Sequence, residues 1–254
     1  MKTVWLEDMS WPDVEEALSA GVDTVIVCAA SNEQHGPHLA ENTDYEIGRA
    51  VYQSAAEKLG NTLVAPIIRP GLSAHHMCFP GSLTLRPEVF RGLVEDYVDC
   101  YVNHGFKNIV LVSSHGGNFA TMAALAQELD AKYPDNNIVS GLSLDDFLEV
   151  FKETERIFGL PAGACGGHAC CLETAIMLHI RPDCVRMDRA QAGCMDGGSQ
   201  NEQAQKLFKY GMKGISEIGV MGDPTPATAE MGKACLDMLA TRVCESVRAA
   251  LSAK

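Results

Sequence analysis

The stretch Asn108-Ile-Val-Leu-Val-Ser-Ser-His-Gly-Gly-Asn118 decides the fold, because a continuously apolar strand runs directly into a turn. A strand that is apolar at every central position is typical of a parallel sheet covered on both faces. The segment from Phe119 to Lys132, which follows the turn, has the composition of a helix. Strand, turn and helix in this order predict a βαβ unit.

The same alternation extends along the chain in both directions. We predict further strands over residues 23–30, 61–66 and 137–142. We predict further helices over residues 45–59, 87–98, 145–158, 169–180 and 226–251. Asp145 is the expected cap of the third of these helices. Residues 190–225, rich in glycine and polar residues, are the least regular part. The pattern predicts an α/β fold, a three-layer α/β/α sandwich with a mostly parallel central sheet. Because no internal repeat or linker-like tract divides the chain, we predict a single domain over residues 1–254.

The composition limits the classes of partner. The chain has 254 residues, of which 46% are hydrophobic and 21% charged, so it can bury a sizeable core. Lys and Arg number 20 against 33 Asp and Glu, for a formal net charge of −13. This excess of acids argues against binding to nucleic acid or to an anionic membrane surface. No apolar run approaches the ~20 residues that a membrane helix needs.

The ten cysteines predict a reducing environment rather than a disulfide framework. The first ten residues carry acids where a secretory signal peptide needs an apolar segment. No Cys-x-x-Cys spacing occurs, so the sequence gives no support for a zinc finger or a thioredoxin-like motif. We therefore expect a cytoplasmic protein whose cysteines are reduced.

Acids and histidines follow two of the predicted strands and one Gly-Gly pair. Glu33 and His35 come after the first strand, with Asp44 at the start of the next helix, and His115 comes after the strand quoted above. In an open parallel sheet, ligands bind beyond the carboxyl ends of the strands. The segment Gly166-Gly-His-Ala-Cys-Cys-Leu-Glu173 could bring a further imidazole and a further acid to the same edge.

Converging carboxylates and imidazoles suit Zn²⁺, Mn²⁺ or Fe²⁺. If Glu33, Asp44 and Glu173 are ionised, their three negative charges exceed the two positive charges of one divalent ion. With two divalent ions the site would have a net charge of +1, which a bridging hydroxide would cancel. Two ions that share a carboxylate and a hydroxide commonly generate a nucleophile at neutral pH. The pattern therefore indicates metal-assisted hydrolysis.

Each of these residues, taken alone, also has a structural interpretation. A histidine at the edge of a sheet is more often a hydrogen-bonded surface or core residue than a ligand. Asp44 could cap its helix, and Glu173 could face solvent. The pair Gly116-Gly117 could be only a tight turn between strand and helix.

Five segments resemble the creatininase (creatinine amidohydrolase) family, and they occur in order over nearly the whole chain. They are Glu33-Gln-His-Gly-Pro-His38 with Asp44, Phe79-Pro-Gly-Ser-Leu83, Ser114-His-Gly-Gly-Asn118, His168 with Glu173-Thr174, and Gly222-Asp-Pro-Thr-Pro-Ala-Thr-Ala-Glu230. The resemblance implies an α/β/α fold, a dinuclear metal centre and a homo-oligomer, often a hexamer. It also implies a hydrolase of non-peptide C–N bonds in small cyclic amides or formamides.

The resemblance implies a role for each matching residue. One metal would be held by Glu33, Asp44 and His115, and the second by His35, Asp44 and Glu173, with Asp44 bridging. Zn²⁺ is the expected ion, with Mn²⁺ and Fe²⁺ as alternatives. The hydroxide between the ions would attack a carbonyl carbon, and His168 would pass a proton to the leaving nitrogen.

The resemblance also implies contacts with a small-molecule substrate. The residues expected to make them are His76, Gly117 and Asn118. His75, beside His76, is expected to be structural or to lie at the surface. His38 would either lie behind the ligands or close the loop.

Two departures from creatininase itself argue against creatinine as the substrate. Creatininase has an acid two residues after the histidine that matches His115, and this chain has Gly117 there. Its substrate loop also carries tryptophans, and the only two tryptophans here are Trp5 and Trp11. The Gly-Gly-Asn form is similar to relatives that act on formamides, on a peptide or on a keto-inositol. Because the last of these breaks a C–C bond, cleavage of a cyclic ketone is an alternative.

Two functions of other classes compete with hydrolysis. The first is a metal-binding or metabolite-binding protein that keeps the fold without turnover. Against this function, the chain retains the three carboxylates, the two imidazoles and the candidate proton donor His168 that the hydrolase would need. The second is a nucleotide-dependent oxidoreductase, but the loop Ser31-Asn-Glu-Gln-His-Gly36 lacks the Gly-x-Gly-x-x-Gly pattern that approaches a pyrophosphate.

Overall fold

A computed structural model describes residues 3–195, 206–207 and 209–254. Four parallel strands form the central sheet, in the order β2-β1-β3-β4. The strands are β1 (Thr24–Ala29), β2 (Thr62–Val64), β3 (Asn108–Ser113) and β4 (Asn137–Ser140). The parallel sheet that the apolar run at β3 predicts is confirmed.

Helices cover both faces of this sheet, which confirms the three-layer α/β/α arrangement. They are α1 (Trp11–Ser19), α2 (Thr43–Leu59), α3 (Pro87–Asn103), α4 (Phe119–Lys132), α5 (Leu144–Phe158), α6 (Cys171–Ile180) and α7 (Ala229–Ser252). The irregular segment predicted at residues 190–225 lies partly outside the described residues. No helix in the described ranges is long and apolar enough to cross a membrane.

Alternate residues of the strands enter two separate cores. On β1, Val25 and Val27 pack with α3 and α4 through residues such as Phe90 and Leu125. Ile26 and Cys28, which point the other way, join the core formed by α2, α5, α6 and α7. Because both faces are buried, every residue of β1 has to be apolar or small, as the sequence shows.

Several predicted ends of helices and strands differ from the structure by a few residues, and two local differences have a clear cause. The hydroxyl of Ser143, not Asp145, caps α5 by accepting a hydrogen bond from the backbone N–H of Asp146 at 3.1 Å. Helix α6 begins at Cys171 rather than at residue 169, because Ala169 has a positive φ of 50° that no helix accommodates.

Helix α1 is absent from the predictions, although the sequence carries its signals. The side chain of Ser10 and that of Asp13 form a reciprocal capping box at its first turn. Pro12 stands in that same turn, where a missing N–H costs nothing. These short polar signals are easily passed over beside the long apolar runs of the sheet.

The packing of α7 on α6 is close enough to depend on a glycine. A Cβ placed on Gly232 of α7 would lie 1.9 Å from the carbonyl oxygen of Ala175 in α6. Gly232→Ala should therefore lower the free energy of unfolding by about 1–3 kcal/mol, because the two helices must separate. Urea denaturation measures this change.

A second glycine provides the matched control. Gly92 also lies within a helix, α3, and a Cβ placed there would meet nothing within 4 Å. Gly92→Ala should leave the protein equally stable or stabilise it by about 0.5–1 kcal/mol. Equal unfolding midpoints for the two variants would contradict this view of the α6–α7 contact.

Candidate metal centre

The loop after β1 and the turn after β3 begin side by side. Ala29, the last residue of β1, pairs with Ser113, the last residue of β3. Glu33 and His35 lie in the first loop and His115 in the second, and all three side chains are buried. As predicted from their positions after the two strands, the parallel sheet brings these groups to one edge.

The loop reverses direction at Gly36, directly after His35. Gly36 has a φ of +64°, a backbone conformation that other residues rarely adopt. A Cβ there would also lie 2.5 Å from Val220 Cγ2. The turn lets the chain return past the site and begin α2, which carries Asp44.

Asp44 lies between two imidazoles and presents a different oxygen to each. Its Oδ1 is 3.2 Å from His35 Nε2, and its Oδ2 is 3.4 Å from His115 Nδ1. Asp44 is not the cap of α2, since Asn42 occupies that position. Its place in the first turn favours a negative charge, because the N-terminus of a helix carries a partial positive charge.

Each of the two imidazoles also approaches a second carboxylate. Glu33 Oε1 lies 3.1 Å from His115 Nδ1. Glu173 Oε1, from the first turn of α6, lies 3.9 Å from His35 Nε2. The structure thus brings together the five residues for which the sequence predicts metal ligation.

Orphaned oxygens show that these residues fit divalent cations. In the described residues, Glu33 Oε2, Asp44 Oδ2 and Glu173 Oε2 are buried without a hydrogen-bond partner. A buried polar group left without a partner costs about 1–3 kcal/mol, and a charged one costs more. Cations bound between these acids would supply the missing partners, and the O and N donors match the ligand types of Zn²⁺, Mn²⁺ and Fe²⁺.

Burial and mutual attraction set the protonation of the site. Burial alone would lower the pKa of His35, but the carboxylates of Asp44 and Glu173 outweigh it and raise that pKa to about 10. Likewise, Glu33 and Asp44 outweigh burial and raise the pKa of His115 well above its usual value. Burial would raise the pKa of Asp44, but His35 and His115 hold it below its usual range. Burial raises the pKa of Glu173 to about 7.

His168 and His76 lie beside the acids and are joined by Gln34. The side-chain Nε2 of Gln34 donates to His76 Nδ1 at 2.9 Å and lies 2.9 Å from His168 Nε2. His168 Nε2 is also 2.8 Å from the backbone oxygen of Gln34. Burial lowers the pKa of both rings, that of His168 to about 3.

Sequence reasoning missed Gln34 because it stands between two ligands in the motif. Alternation along an extended segment would turn its side chain away from Glu33 and His35. The chain turns at Gly36, however, and the Gln34 side chain accepts a hydrogen bond from Gly36 N at 2.9 Å. A buried amide with this many partners fixes the two neighbouring rings.

Asn118, predicted to contact substrate, is bound to the backbone. Its Nδ2 donates to the carbonyl oxygens of Ala29 and Ala30, and its Oδ1 accepts from Leu72 N at 2.9 Å. The side chain therefore ties the end of β1 to the loop that carries His75 and His76. Its contact with a substrate stays a prediction.

The other two histidines of the motifs have distinct positions. His38 lies behind the ligands, with its Nε2 2.9 Å from Thr174 Oγ1, next to Glu173 in sequence. Burial lowers the pKa of His38 to about 4. His75 is half-buried and its ring lies parallel to that of His115, with centroids 5.7 Å apart. His75 therefore borders the site rather than lying away from it at the surface.

Metal binding to the metal-free protein should release protons at pH 7. The imidazoles of His35 and His115 are protonated there and the carboxyl of Glu173 partly so, given their raised pKa values. Since ligands bind metals in their deprotonated form, we expect roughly two protons released per chain and a weaker affinity at lower pH. Calorimetry in buffers of different ionisation enthalpy measures the release, and identical heats in all buffers would contradict it.

The chain matches the family model described as "Creatininase: Creatinine amidohydrolase" over residues 7–247. It is 32% identical over 221 residues to the mycofactocin precursor peptide peptidase of Mycolicibacterium smegmatis, and the aligned part covers 85% of this chain and 81% of that protein. It is 25% identical over 260 residues to the creatinine amidohydrolase of Pseudomonas putida, with 97% of each covered. A crystal structure of creatinine amidohydrolase (creatininase) has a TM-score of 0.84 at 23% identity, over 97% of both chains.

Proposed function

The chain belongs to the creatininase family of hydrolases, and on that premise we propose that it is a dinuclear metal-dependent hydrolase of C–N bonds. The observation that carries the proposal is the position of Asp44. Its two oxygens face two imidazoles, and each imidazole approaches a further carboxylate. A carboxylate placed in this way could be shared by two cations.

We assign one ion to Glu33, Asp44 and His115, and the other to His35, Asp44 and Glu173. The distances from the imidazole to the carboxylates within the two sets run from 3.1 to 3.9 Å. Zn²⁺ is the ion we propose first, since mixed imidazole and carboxylate donors suit it, with Mn²⁺ or Fe²⁺ as alternatives. When bound, the ions would polarise a carbonyl oxygen and lower the pKa of a water.

His168 is the residue we assign to proton transfer. Its ring is neutral at pH 7, because burial and the neighbouring His35 lower its pKa to about 3. Gln34 occupies Nε2, so Nδ1, 3.8 Å from Glu33 Oε1, is the nitrogen left to exchange a proton. It can accept a proton as the nucleophile forms and return it to the leaving nitrogen, a step typically worth 10²–10⁴-fold in rate.

The substrate we propose is a small cyclic amide or a formamide that sits beside His76. His76 is buried, and its ring centroid is 4.5 Å from that of His168. Gln34 holds His76 Nδ1, while His76 Nε2 lies 3.4 Å from Glu33 Oε1. His76 can therefore fix the position of a substrate group close to both the acids and His168.

A second candidate is cleavage of a peptide bond. The chain is 32% identical to a protein named for its action on a precursor peptide, against 25% for the creatinine amidohydrolase. Both candidates break an amide C–N bond, so the same metal ligands and the same proton carrier would serve. They differ in the size and shape of the group that flanks the carbonyl.

A substrate screen tests the proposal. The protein, reconstituted with Zn²⁺, Mn²⁺ or Fe²⁺, is incubated with cyclic amides, formamides, short peptides and cyclic ketones. Release of amine, ammonia or formate from one amide class is the expected result. Ring opening of a ketone without nitrogen release would assign C–C cleavage instead, and failure with every class and metal would favour a non-catalytic binding protein.

A further inference from the structure

His75 has a position that its expected structural role does not explain. It lies in a short turn of 3-10 helix, Ala74–His76, on the loop that passes over the turn after β3. Its neighbour His76 points toward Gln34 and Glu33, whereas His75 lies against His115. The interplanar angle between the rings of His75 and His115 is 10°.

Gly117 leaves the space on this side of His115 to His75. A Cβ on Gly117 would lie 2.4 Å from the carbonyl oxygen of Leu72, 2.5 Å from His115 Nε2 and 3.1 Å from His75 Cε1. A side chain at position 117 would therefore displace the loop that carries His75. His75 can therefore occupy its position only because residue 117 is a glycine.

The imidazole of His75 is close enough to Glu33 and His115 to share an ion with them. One donor atom from each of Glu33, His75 and His115 lies within 4.8 Å of the others. Donors around one tetrahedral Zn²⁺, bound at about 2.0–2.2 Å, lie roughly 3.3–3.6 Å apart, so the donor atoms would close up by at most roughly 1.5 Å when the ion binds. His76 forms a similar group with Glu33 and His168, but that group lacks His115, the imidazole assigned to this ion.

We propose that His75 is a further ligand of the ion assigned to Glu33, Asp44 and His115. This inference rests on the proposed dinuclear centre. With His75, that ion has four protein donors, whereas the ion at His35, Asp44 and Glu173 has three. A four-donor zinc site is closed and a three-donor site keeps an open position, so substrate binds at the second ion. His168 lies on that side, with its ring centroid 4.3 Å from that of His35.

Metal titration of His75 variants tests the inference. Wild type, His75→Ala, His75→Phe and the control His104→Ala are stripped with a chelator, and Zn²⁺ is added in competition with a coloured chelator. His104 is an exposed histidine at the end of α3. We expect two ions in wild type and the control. In both His75 variants, one ion should bind more than about 100-fold more weakly, a larger loss than removal of a residue behind the ligands causes.

The variants separate a ligand from a packing residue. Phenylalanine keeps a ring against His115 without a nitrogen donor, so an affinity restored by His75→Phe but not by His75→Ala would overturn the inference. Two ions bound by His75→Ala as tightly as by wild type would also overturn it, while leaving the proposed function intact. If wild type itself bound no ion, the proposed function would fail and the role of His75 with it.

Discussion

Asp44→Asn should abolish the binding of both ions. Asp44 contributes an oxygen to each proposed donor set, at 3.2 Å from His35 and 3.4 Å from His115. The amide keeps the shape but loses the charge and replaces one oxygen by a donor that cannot bind a cation. Elemental analysis should find well under one ion per chain, against two in wild type. The catalytic rate should fall at least about 10³-fold, because the variant loses the several kcal/mol by which the ions stabilise the transition state.

The chain contains a matched control for this change. Asp145 occupies the same position in the first turn of α5 that Asp44 occupies in α2, but it is exposed. Asp145→Asn should keep both ions and the full rate. A normal metal content in Asp44→Asn would show that this carboxylate is not shared between two ions and would remove the basis for the assigned ligand sets.

His168→Ala should leave the metals in place and lower the catalytic rate. None of the donor sets we propose includes His168, so its removal should not release an ion. Loss of the group that carries the proton should lower kcat by about 10²–10⁴-fold, while KM changes much less. Measurement of kcat and KM on the substrate found by the screen, together with the metal content, checks both parts.

Two further variants test whether the lower kcat of His168→Ala comes from the loss of proton transfer. His168→Asn retains a polar side chain of smaller size, so a kcat as low as that of the alanine variant excludes a simple packing defect. His104→Ala, far from the site in the exposed end of α3, should match wild type. If His168→Ala retained a kcat within a few fold of wild type, the proton carrier would have to be another group.

The sheet could be predicted because its residues carry one dominant signal. Ile109 to Val112 is apolar throughout and is buried on both faces, and the segment that follows it matches α4 at both ends. Helix α1 depends instead on the polar pair Ser10 and Asp13, which looks like ordinary surface sequence. Patterns of burial are therefore easier to recognise from sequence than helices marked only by their caps.

The ligand set could be predicted in outline because parallel strands end at a common edge. Glu33, His35 and His115 follow β1 and β3, and the topology alone brings them together. The roles of Gln34 and His75 depend on local turns: the side chain of Gln34 bends back to Gly36, and His75 occupies space that Gly117 leaves free. Such contacts arise from the path of the loops, which spacing along the chain does not determine.

The shared position of Asp44 can be tested by an anomalous difference map from crystals of the Zn²⁺-loaded protein, with data on both sides of the zinc absorption edge. We expect two peaks about 3.5–4 Å apart, one on each side of the Asp44 carboxylate. One peak should contact Glu33 and His115, and the other His35 and Glu173. A fully loaded protein with no peak at Asp44, or with a single peak that Asp44 does not touch, would show that this carboxylate does not hold two ions.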